Sequence, residues 1–380
     1  MRIDRLFDVL LKSHAFLPYK LGNGFAFPMM KVSLELTYLC NLRCVFCFQT
    51  EQKGSRERNE LSTEEFIQLI SRIPRFSLIT FTGGEPLLKK NALEIIQYAL
   101  ERHGCNIITN GVMMTEEYTR TFVDKRLLLA GVSIDGIGQE HDHLRGMKGA
   151  FDKITYNVKL LQEYKNKKKT KYPLLDIKTV ITPENIDMLE DIYQYAHDVN
   201  ADFFTLSPLK VTNIQFQANF INGMNDNKLW SPITVTPYID PQKLILKLSQ
   251  IIESSRNKKT KIRFYPIAQK AEGMKTHFDN AKRLVDRYEP CLVPWSSMQI
   301  SPTGDAYPCI AYKVGNVKES SLKLIWNSKR YREFRRQLSA VGLFPGCAGC
   351  CYLRERNHTA FNARNCGKTK VESADELVMK

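Results

Sequence analysis

Three cysteines lie within eight residues near the start of the chain, Cys40, Cys44 and Cys47, in the spacing Cys-x3-Cys-x2-Cys. In a cluster of four irons and four sulfides, cysteine thiolates normally ligate every iron. Three thiolates therefore leave one iron with an open coordination position, as catalytic metal sites do. A structural zinc site needs a fourth protein ligand close by, and residues 41–50 supply no such ligand. The spacing therefore predicts an iron–sulfur cluster that can bind a further molecule.

Other polar residues follow later strand-like segments. Gly83 and Gly84 lack side chains, which lets the backbone approach a ligand closely, and the adjacent Glu85 can accept a hydrogen bond from an ammonium group. Ser133 and Asp135 are two positions apart at the end of a strand-like run, so their side chains point to the same side. Because ligand sites lie at the carboxyl ends of parallel strands, we expect both groups near the cysteines.

Together, these segments resemble the radical SAM superfamily. The resemblance implies that the amino and carboxylate groups of S-adenosylmethionine (SAM) chelate the open iron. One electron then cleaves the sulfonium to give a 5′-deoxyadenosyl radical, which abstracts a substrate hydrogen. This chemistry belongs to the cofactor, so no acid–base pair or nucleophilic triad is required. The implied SAM contacts are, for the amino group, Gly83, Gly84, Glu85 and Pro86; for the ribose, Ser133 and Asp135; for the carboxylate, Arg145; and as further lining, Thr109 and Asn110.

A second group of cysteines lies towards the end of the chain, with Cys291, Cys309 and a Cys-x2-Cys pair at positions 347 and 350. Two pairs brought together can bind either zinc or an iron–sulfur cluster. Beside a radical SAM core, the run resembles the auxiliary-cluster extension called SPASM, or its shortened form called twitch. A full SPASM domain continues with two further cysteines, and this chain has Arg356 and Ala360 at those places.

This departure implies a single auxiliary [4Fe–4S] cluster rather than two complete ones. Its expected ligands are Cys291, Cys309, Cys347 and Cys350. Two cysteines are left over in the same region, Cys351 and Cys366. Either of them can replace one of the four ligands or serve a second, incomplete cluster.

The order of the elements predicts an α/β fold. Strand-like runs alternate with helical ones from residue 31 to about residue 210, which indicates parallel β/α units, and Ser62 with Glu65 forms a capping box at one helix start. Six runs read as strands, and the resemblance implies a partial (β/α)6 barrel similar to a TIM barrel, with a small cysteine-rich twitch- or SPASM-like domain after it. The six runs are residues 31–37, 77–82, 106–109, 131–134, 174–181 and 203–207.

These patterns divide the chain into four parts. We expect an N-terminal helical extension over residues 1–30 and the barrel over residues 31–210. A bridging region over residues 211–285, with a helix from Pro241 to Ser255, is expected to cover the substrate. The auxiliary-cluster domain is expected over residues 286–380.

Composition narrows the class of protein. The hydrophobic content of 43% and charged content of 25% are those of an ordinary globular protein. No membrane-spanning stretch and no secretory signal are visible. The ten cysteines are grouped as metal ligands are in a reducing compartment, so we expect a cytoplasmic protein.

The net charge of +15 raises the question of nucleic-acid binding. Two basic runs are expected to be a solvated turn and a helix surface, and aromatic residues that would stack on bases are not interleaved with them. An anionic substrate stays open as an alternative. The two runs are Lys165, Lys167, Lys168, Lys169 and Lys171, and Lys329, Arg330, Arg332, Arg335 and Arg336.

Two histidines follow the Ser133 and Asp135 segment. His141 and His143 are expected to be polar loop residues.

The resemblance implies an oxidation, either a dehydrogenation or a bond formation, of a small-molecule or peptide substrate. An auxiliary cluster near the substrate can accept the electron left on a substrate radical, and a flavodoxin or ferredoxin is the expected electron donor. One alternative is an epimerase in which a thiol returns a hydrogen atom, with Cys105, Cys351 or Cys366 as the donor. Another is a non-catalytic iron–sulfur or zinc protein.

Overall fold

The computed structural model describes residues 13–47, 59–209, 239–265, 284–309, 312–347 and 350–356. The predicted irregular stretch over residues 213–237 and the unassigned Cys366 lie outside these ranges. Within them, no helix is long and apolar enough to cross a membrane.

A ten-stranded sheet forms the centre of the protein. Eight neighbouring strands are parallel, and two short antiparallel strands extend one edge. The spatial order is β10-β9-β8-β1-β2-β3-β4-β5-β6-β7. The strands are β1 (Lys31–Glu35), β2 (Leu78–Thr82), β3 (Cys105–Thr109), β4 (Leu129–Ser133), β5 (Leu174–Ile181), β6 (Phe203–Pro208), β7 (Lys261–Phe264), β8 (Ser297–Ile300), β9 (Asp305–Tyr307) and β10 (Gly315–Asn316).

The six predicted strands are confirmed as β1 to β6, and the sheet gains a parallel strand at each edge of this set. Strand β7 pairs with β6, although its four residues include Lys261 and Arg263 and show no apolar run that would predict a strand. Strand β8 pairs with β1, so the same sheet continues into the region that carries the second cysteine group.

Helices follow most of the parallel strands. The predicted capping box begins α2: Ser62 Oγ accepts from Glu65 N at 3.2 Å, and Glu65 Oε2 accepts from Ser62 N at 2.8 Å. The helices are α1 (residues 13–21), α2 (Thr63–Ser71), α3 (Ala92–Leu100), α4 (Glu116–Asp124), α5 (Gln139–Arg145), α6 (Ala150–Lys167), α7 (Leu189–Asp198), α8 (Pro241–Ser254), α9 (Leu284–Arg287), α10 (Leu322–Trp326) and α11 (Lys329–Val341).

The two faces of the sheet have different surroundings. The rings of Phe204 on β6 and Tyr193 on α7 lie 5.7 Å apart, so alternate residues on that side of the strands pack against the helices. Leu175 and Ile177 on β5 are fully buried in the same core. Because side chains alternate along a strand, the intervening residues of β5 and β6 point to the opposite, concave face.

One residue of each basic run departs from its prediction, whereas the others are exposed as expected: Lys167, Lys168, Lys169, Lys171, Lys329, Arg330, Arg332 and Arg336. Lys165 is no solvated turn residue: its side chain is 7% exposed and its Nζ lies 3.9 Å from Asp202 Oδ2. Arg335 is fully buried rather than on a surface, with its guanidinium carbon 4.2 Å from the Trp326 ring centroid and 3.8 Å from that of Tyr331. Tyr331 and Arg335 share the buried face of α11, because residues four apart in a helix lie on the same side.

Arg335 helps to attach the N-terminal segment to the C-terminal helices. Its guanidinium donates to the carbonyl oxygens of Pro294 at 2.7 Å and Gly24 at 3.2 Å. Trp326 Nε1 donates to the Phe27 carbonyl at 2.7 Å. A segment near the N-terminus, residues 24–27, therefore packs against the C-terminal helices α10 and α11.

Candidate cofactor site

The cysteine loop, residues 37–47, begins directly beyond the carboxyl end of β1. Gly84 N donates to the Thr37 carbonyl at 2.8 Å, and Glu85 N donates to the Leu39 carbonyl at 2.7 Å. A Cβ added to Gly83 would lie 2.6 Å from the Thr37 oxygen, and one added to Gly84 would lie 2.7 Å from the Tyr38 oxygen. These glycines therefore permit a close approach to the backbone of the cysteine loop itself, which the sequence did not predict.

Glu60 holds the start of the same loop, and sequence reasoning missed it. Its Oε1 accepts from Thr37 Oγ1 at 2.9 Å and from Tyr38 N at 2.7 Å. Its Oε2 accepts from Lys89 Nζ at 3.0 Å. Glu60 stands outside any motif, so no sequence signal pointed to this role.

Glu85 joins the Gly-Gly-Glu-Pro segment to the end of β3. Its Oε1 accepts from Thr109 Oγ1 at 2.7 Å and from Leu87 N at 3.1 Å, while its Oε2 accepts from Asn110 N at 2.7 Å. Burial raises the pKa of this fully buried carboxyl to about 7, although the three hydrogen bonds oppose the shift. The structure thus brings Glu85, Thr109 and Asn110 together in one hydrogen-bonded group beside the cysteine loop, which we call the Glu85 bracket.

Hydrogen-bond donors surround the first two cysteines. Leu42 N donates to Cys40 Sγ at 3.4 Å. The amide nitrogen of Asn110 lies 4.0 Å from the same sulfur and donates to Asn41 Oδ1 at 2.9 Å. Arg145 Nη1 lies 3.5 Å from Cys44 Sγ. Burial raises the pKa of Cys44, and the Arg145 cation opposes that rise. Donors and cations next to sulfur favour the thiolate form that a metal requires, so these residues fit an iron–sulfur cluster.

The end of α5 fixes the middle of the cysteine loop. Arg43 N donates to the Arg145 carbonyl at 3.0 Å, and Val45 N donates to the Leu144 carbonyl at 3.0 Å. Gly146 ends α5 at a positive φ of 66°, and a Cβ there would lie 2.6 Å from the Arg43 oxygen. Cys44 is therefore held between two backbone contacts to the turn that carries Arg145.

Arg145 forms a buried ion pair with Asp135, which lies two residues after Ser133 of β4. Burial disfavours the Arg145 charge, but Asp135 and the Cys44 thiolate outweigh it and raise the Arg145 pKa. Asp135 Oδ1 also accepts from Val180 N at 2.7 Å. The Asp135 carboxylate is thus engaged by protein groups, whereas Ser133 is only half-buried.

The two predicted loop histidines lie on helix α5 instead. His141 is fully buried, and its Nδ1 accepts from Asp135 N at 3.2 Å. Its ring lies 5.8 Å from that of Phe151. Burial lowers the pKa of His141 to about 3, so the imidazole is neutral and acts as an acceptor. His143 is exposed on the same helix.

The second cysteine group lies in apolar surroundings. Burial raises the pKa of Cys291 to about 12, and the neighbouring Cys309 adds to the shift. Burial likewise raises the pKa of Cys347, with Cys291 and Cys309 as further causes, so these three thiols are close together. Cys350 N donates to the Cys347 carbonyl at 3.0 Å. Such partly buried thiols fit a cluster that replaces their protons with iron. Among the described residues, no three His, Cys, Asp or Glu side chains are placed to hold one metal ion.

The predicted hydrogen donors differ in their placement. Cys105 is fully buried at the amino end of β3, and burial raises its pKa to about 12. Thr109, at the carboxyl end of that strand, is four residues and roughly 13 Å further on. Cys105 therefore lies in the core at the opposite end of the sheet, which does not favour it as a hydrogen donor. Cys351 is half-buried beside Cys350, and Cys366 lies outside the described residues.

Comparisons with known proteins agree with this geometry. Residues 34–196 match the model of the radical SAM superfamily, and residues 291–367 match SPASM, an iron–sulfur cluster-binding domain. The Fe-coproporphyrin III synthase of Methanosarcina barkeri is 36% identical over 160 residues, which cover 41% of this chain and 40% of that protein. The antilisterial bacteriocin subtilosin biosynthesis protein AlbA of Bacillus subtilis is 24% identical over 93% of this chain and 74% of its own length.

A solved structure shows the same fold. The structure of Streptococcus suis SuiB bound to S-adenosylmethionine has a TM-score of 0.63 at 15% identity, covering 90% of this chain and 76% of that one. SuiB has also been solved bound to the precursor peptide SuiA, with a TM-score of 0.62 at 15% identity, covering 89% of this chain and 75% of that one. Residues 34–196 therefore form a domain of the radical SAM superfamily, with the [4Fe–4S] cluster and SAM that this implies, and residues 291–367 form a SPASM domain of the kind that binds auxiliary iron–sulfur clusters.

Proposed function

We propose that the protein is an oxidising radical SAM enzyme that dehydrogenates, or forms a bond within, a small-molecule or peptide substrate. The observation that carries the proposal is the placement of Asn110 and Arg145 against the sulfurs of Cys40 and Cys44. When bound, the cluster and SAM supply a 5′-deoxyadenosyl radical that abstracts a hydrogen atom from the substrate. The protein must position SAM, exclude water and accept the remaining electron.

Different residues around the cysteine loop contact different parts of SAM in this proposal. Arg145 keeps its charge through its pairing with Asp135 and provides the cation for the SAM carboxylate. The backbone of Gly83, Gly84 and Pro86, fixed by the Glu85 bracket, provides the amino-group contacts. Ser133, half-buried on β4, provides a hydroxyl for the ribose, with Asp135 beside it.

The auxiliary cluster is assigned to Cys291, Cys309, Cys347 and Cys350. Its apolar surroundings suit a centre that exchanges electrons without binding a polar molecule. The electron donor to the protein is proposed to be a flavodoxin or ferredoxin. The placement of Cys105 in the core makes it a poor candidate for the one thiol that an epimerase needs, and Cys351 and Cys366 remain the alternatives.

The substrate class is proposed from relatives whose names indicate different roles. AlbA is named for the biosynthesis of a bacteriocin, and SuiB has been crystallised with a precursor peptide, which favours a peptide. The name of the Methanosarcina relative favours a small molecule. Both classes are compatible with an oxidation at carbon.

Anaerobic purification followed by metal analysis and a SAM cleavage assay tests the proposal. We expect roughly eight irons per chain, four for each of two clusters, little zinc, and 5′-deoxyadenosine when dithionite and SAM are added. Zinc as the main metal, without cleavage of SAM, would contradict the proposal and favour the non-catalytic alternative.

A further inference from the structure

A charged cluster lies on β5, β6 and β7, apart from the residues assigned to SAM. Asp176 Oδ2 lies 2.8 Å from Lys178 Nζ and 2.6 Å from Arg263 Nη2. Asp176 Oδ1 accepts from Thr205 Oγ1 at 2.6 Å, and Arg263 Nε donates to the same hydroxyl at 3.2 Å. One carboxylate therefore holds two cations.

These side chains are on the concave face of the sheet. Leu175 and Ile177 of β5 belong to the core beneath the helices, so Asp176 and Lys178 point the other way. The strand register places Ser133, Lys178, Thr205 and Arg263 in one row across β4 to β7. Adjacent strands are about 4.8 Å apart, so Lys178 lies one strand from Ser133, the residue proposed to bind the ribose.

The charges in this cluster do not balance. Among the described residues, Asp176 is the sole carboxylate within 4 Å of Lys178 or Arg263. The Asp176 side chain is 0% exposed, whereas those of Lys178 and Arg263 are 25% and 28% exposed. A purely structural ion pair needs one cation for one carboxylate. Among the described residues a positive charge is left over, and both cations keep part of their side chains exposed.

Aromatic rings hold both cations in place. The guanidinium carbon of Arg263 lies 3.7 Å from the Phe203 ring centroid, and Lys178 Nζ lies 5.7 Å from that of Tyr265. Gly131 makes room for the Lys178 stem, since a Cβ at that glycine would come 2.6 Å from Lys178 Cε. The cations are thus positioned in advance, which lowers the entropy cost of binding an anion.

We propose that Lys178 and Arg263 bind a carboxylate of the substrate. The surplus of one positive charge matches one carboxylate, and an arginine fork beside an ammonium offers several charge-assisted donors. The site would place a carboxylate-bearing substrate beside the nucleoside of SAM. The inference rests on the proposed function, because it assigns the substrate class of the same site.

Binding of 4-iodobenzoate, with neutral 4-iodobenzamide as its matched probe, tests the proposal. Calorimetry on the anaerobic holoprotein with saturating SAM should show that the carboxylate binds at least about 10-fold more tightly than the amide. Anomalous diffraction from a soaked crystal should place the iodobenzoate beside Lys178 and Arg263. Lys178→Met and Arg263→Met should each remove the preference, and Arg263→Lys should retain part of it.

Lys243→Met is the matched control, because Lys243 also pairs with an aspartate, Asp187, at 2.6 Å but on the exposed helix α8. This variant should keep the full preference. Equal affinity for the two probes, a preference that survives in both methionine variants, an iodine peak elsewhere or displacement by SAM would each overturn the inference. These readouts do not require SAM cleavage, so a failure to form 5′-deoxyadenosine would count against the proposed function alone.

Discussion

The two cysteine groups differ in what surrounds their sulfurs. Cys40 and Cys44 face an amide, a backbone N–H and the Arg145 cation, which opposes the rise in the Cys44 pKa that burial causes. Cys291 and Cys347 are partly buried against apolar core residues, and their burial is the largest cause of the rise in the pKa of each thiol, with no cation among the described residues opposing it. Polar surroundings can hold a charged ligand beside a metal, whereas apolar surroundings are costly for one. The comparison supports our proposals that SAM binds at the first group and that the second group serves electron transfer.

Replacing the first group should have the largest effect. The triple variant Cys40→Ala, Cys44→Ala, Cys47→Ala should form no 5′-deoxyadenosine and should lose roughly four irons per chain while it keeps the auxiliary cluster. Chromatography and iron analysis of anaerobic protein measure both effects. Cys105→Ala is the control, since this core cysteine is distant from the loop, and it should retain cleavage. Cleavage that persists in the triple variant would contradict the assignment.

Replacing part of the second group should uncouple SAM cleavage from substrate oxidation. Cys347→Ala with Cys350→Ala should also lose roughly four irons per chain, because half of the proposed ligand set is gone. Formation of 5′-deoxyadenosine should continue, since the first group is intact. Far-UV circular dichroism confirms that the variant is folded. Complete loss of cleavage in a folded variant would mean that the two groups do not have separate roles.

The ion pair beside Cys44 should contribute to stability. Arg145→Met leaves the Asp135 carboxylate buried without its cation and should lower the free energy of unfolding by about 3–5 kcal/mol. The double variant Arg145→Met, Asp135→Asn should recover much of this loss, because no buried charge remains. Urea unfolding of the single and double variants measures the difference. Equal losses in both would show that the pairing is not the cause.

The Glu85 bracket should make stability depend on pH. Burial raises the folded-state pKa from an ordinary value of 4.5 to about 7, so the folded protein binds this proton more tightly than the unfolded chain. The resulting contribution is present in full below pH 4.5 and is lost as the pH rises through about 7, by about 3 kcal/mol in total. Glu85→Gln cannot titrate and should lack this slope when unfolding is measured between pH 4.5 and 8. Parallel profiles for the two proteins would contradict the assignment.

Much of the fold could be predicted from local patterns. The six strands of the barrel and the capping box at Ser62 follow from periodicity and spacing, which act over a few residues. Strand β7 could not be predicted, because Arg263 faces a buried carboxylate and interrupts the apolar pattern. Arg335 carries no sequence sign of its burial, which depends on carbonyl groups far away in the chain, at Gly24 and Pro294.

The candidate site likewise combines features that local motifs predict with contacts that depend on the fold. The cysteines and the glycines beside Glu85 stand in recognisable motifs, so the sequence located the site. The supporting contacts come from residues far apart in sequence, such as Glu60 with Lys89 or Cys44 with Arg145. Motifs name the residues that meet, but only the fold shows that Gly83 and Gly84 approach the cysteine loop itself.

Electron paramagnetic resonance of the dithionite-reduced Cys347→Ala, Cys350→Ala protein, recorded with and without SAM, tests the central claim most directly. This variant retains the first cysteine group as its complete cluster site. We predict that SAM shifts the signal of the reduced cluster, because it binds the open iron at Cys40, Cys44 and Cys47. An unchanged signal at saturating SAM would contradict the account.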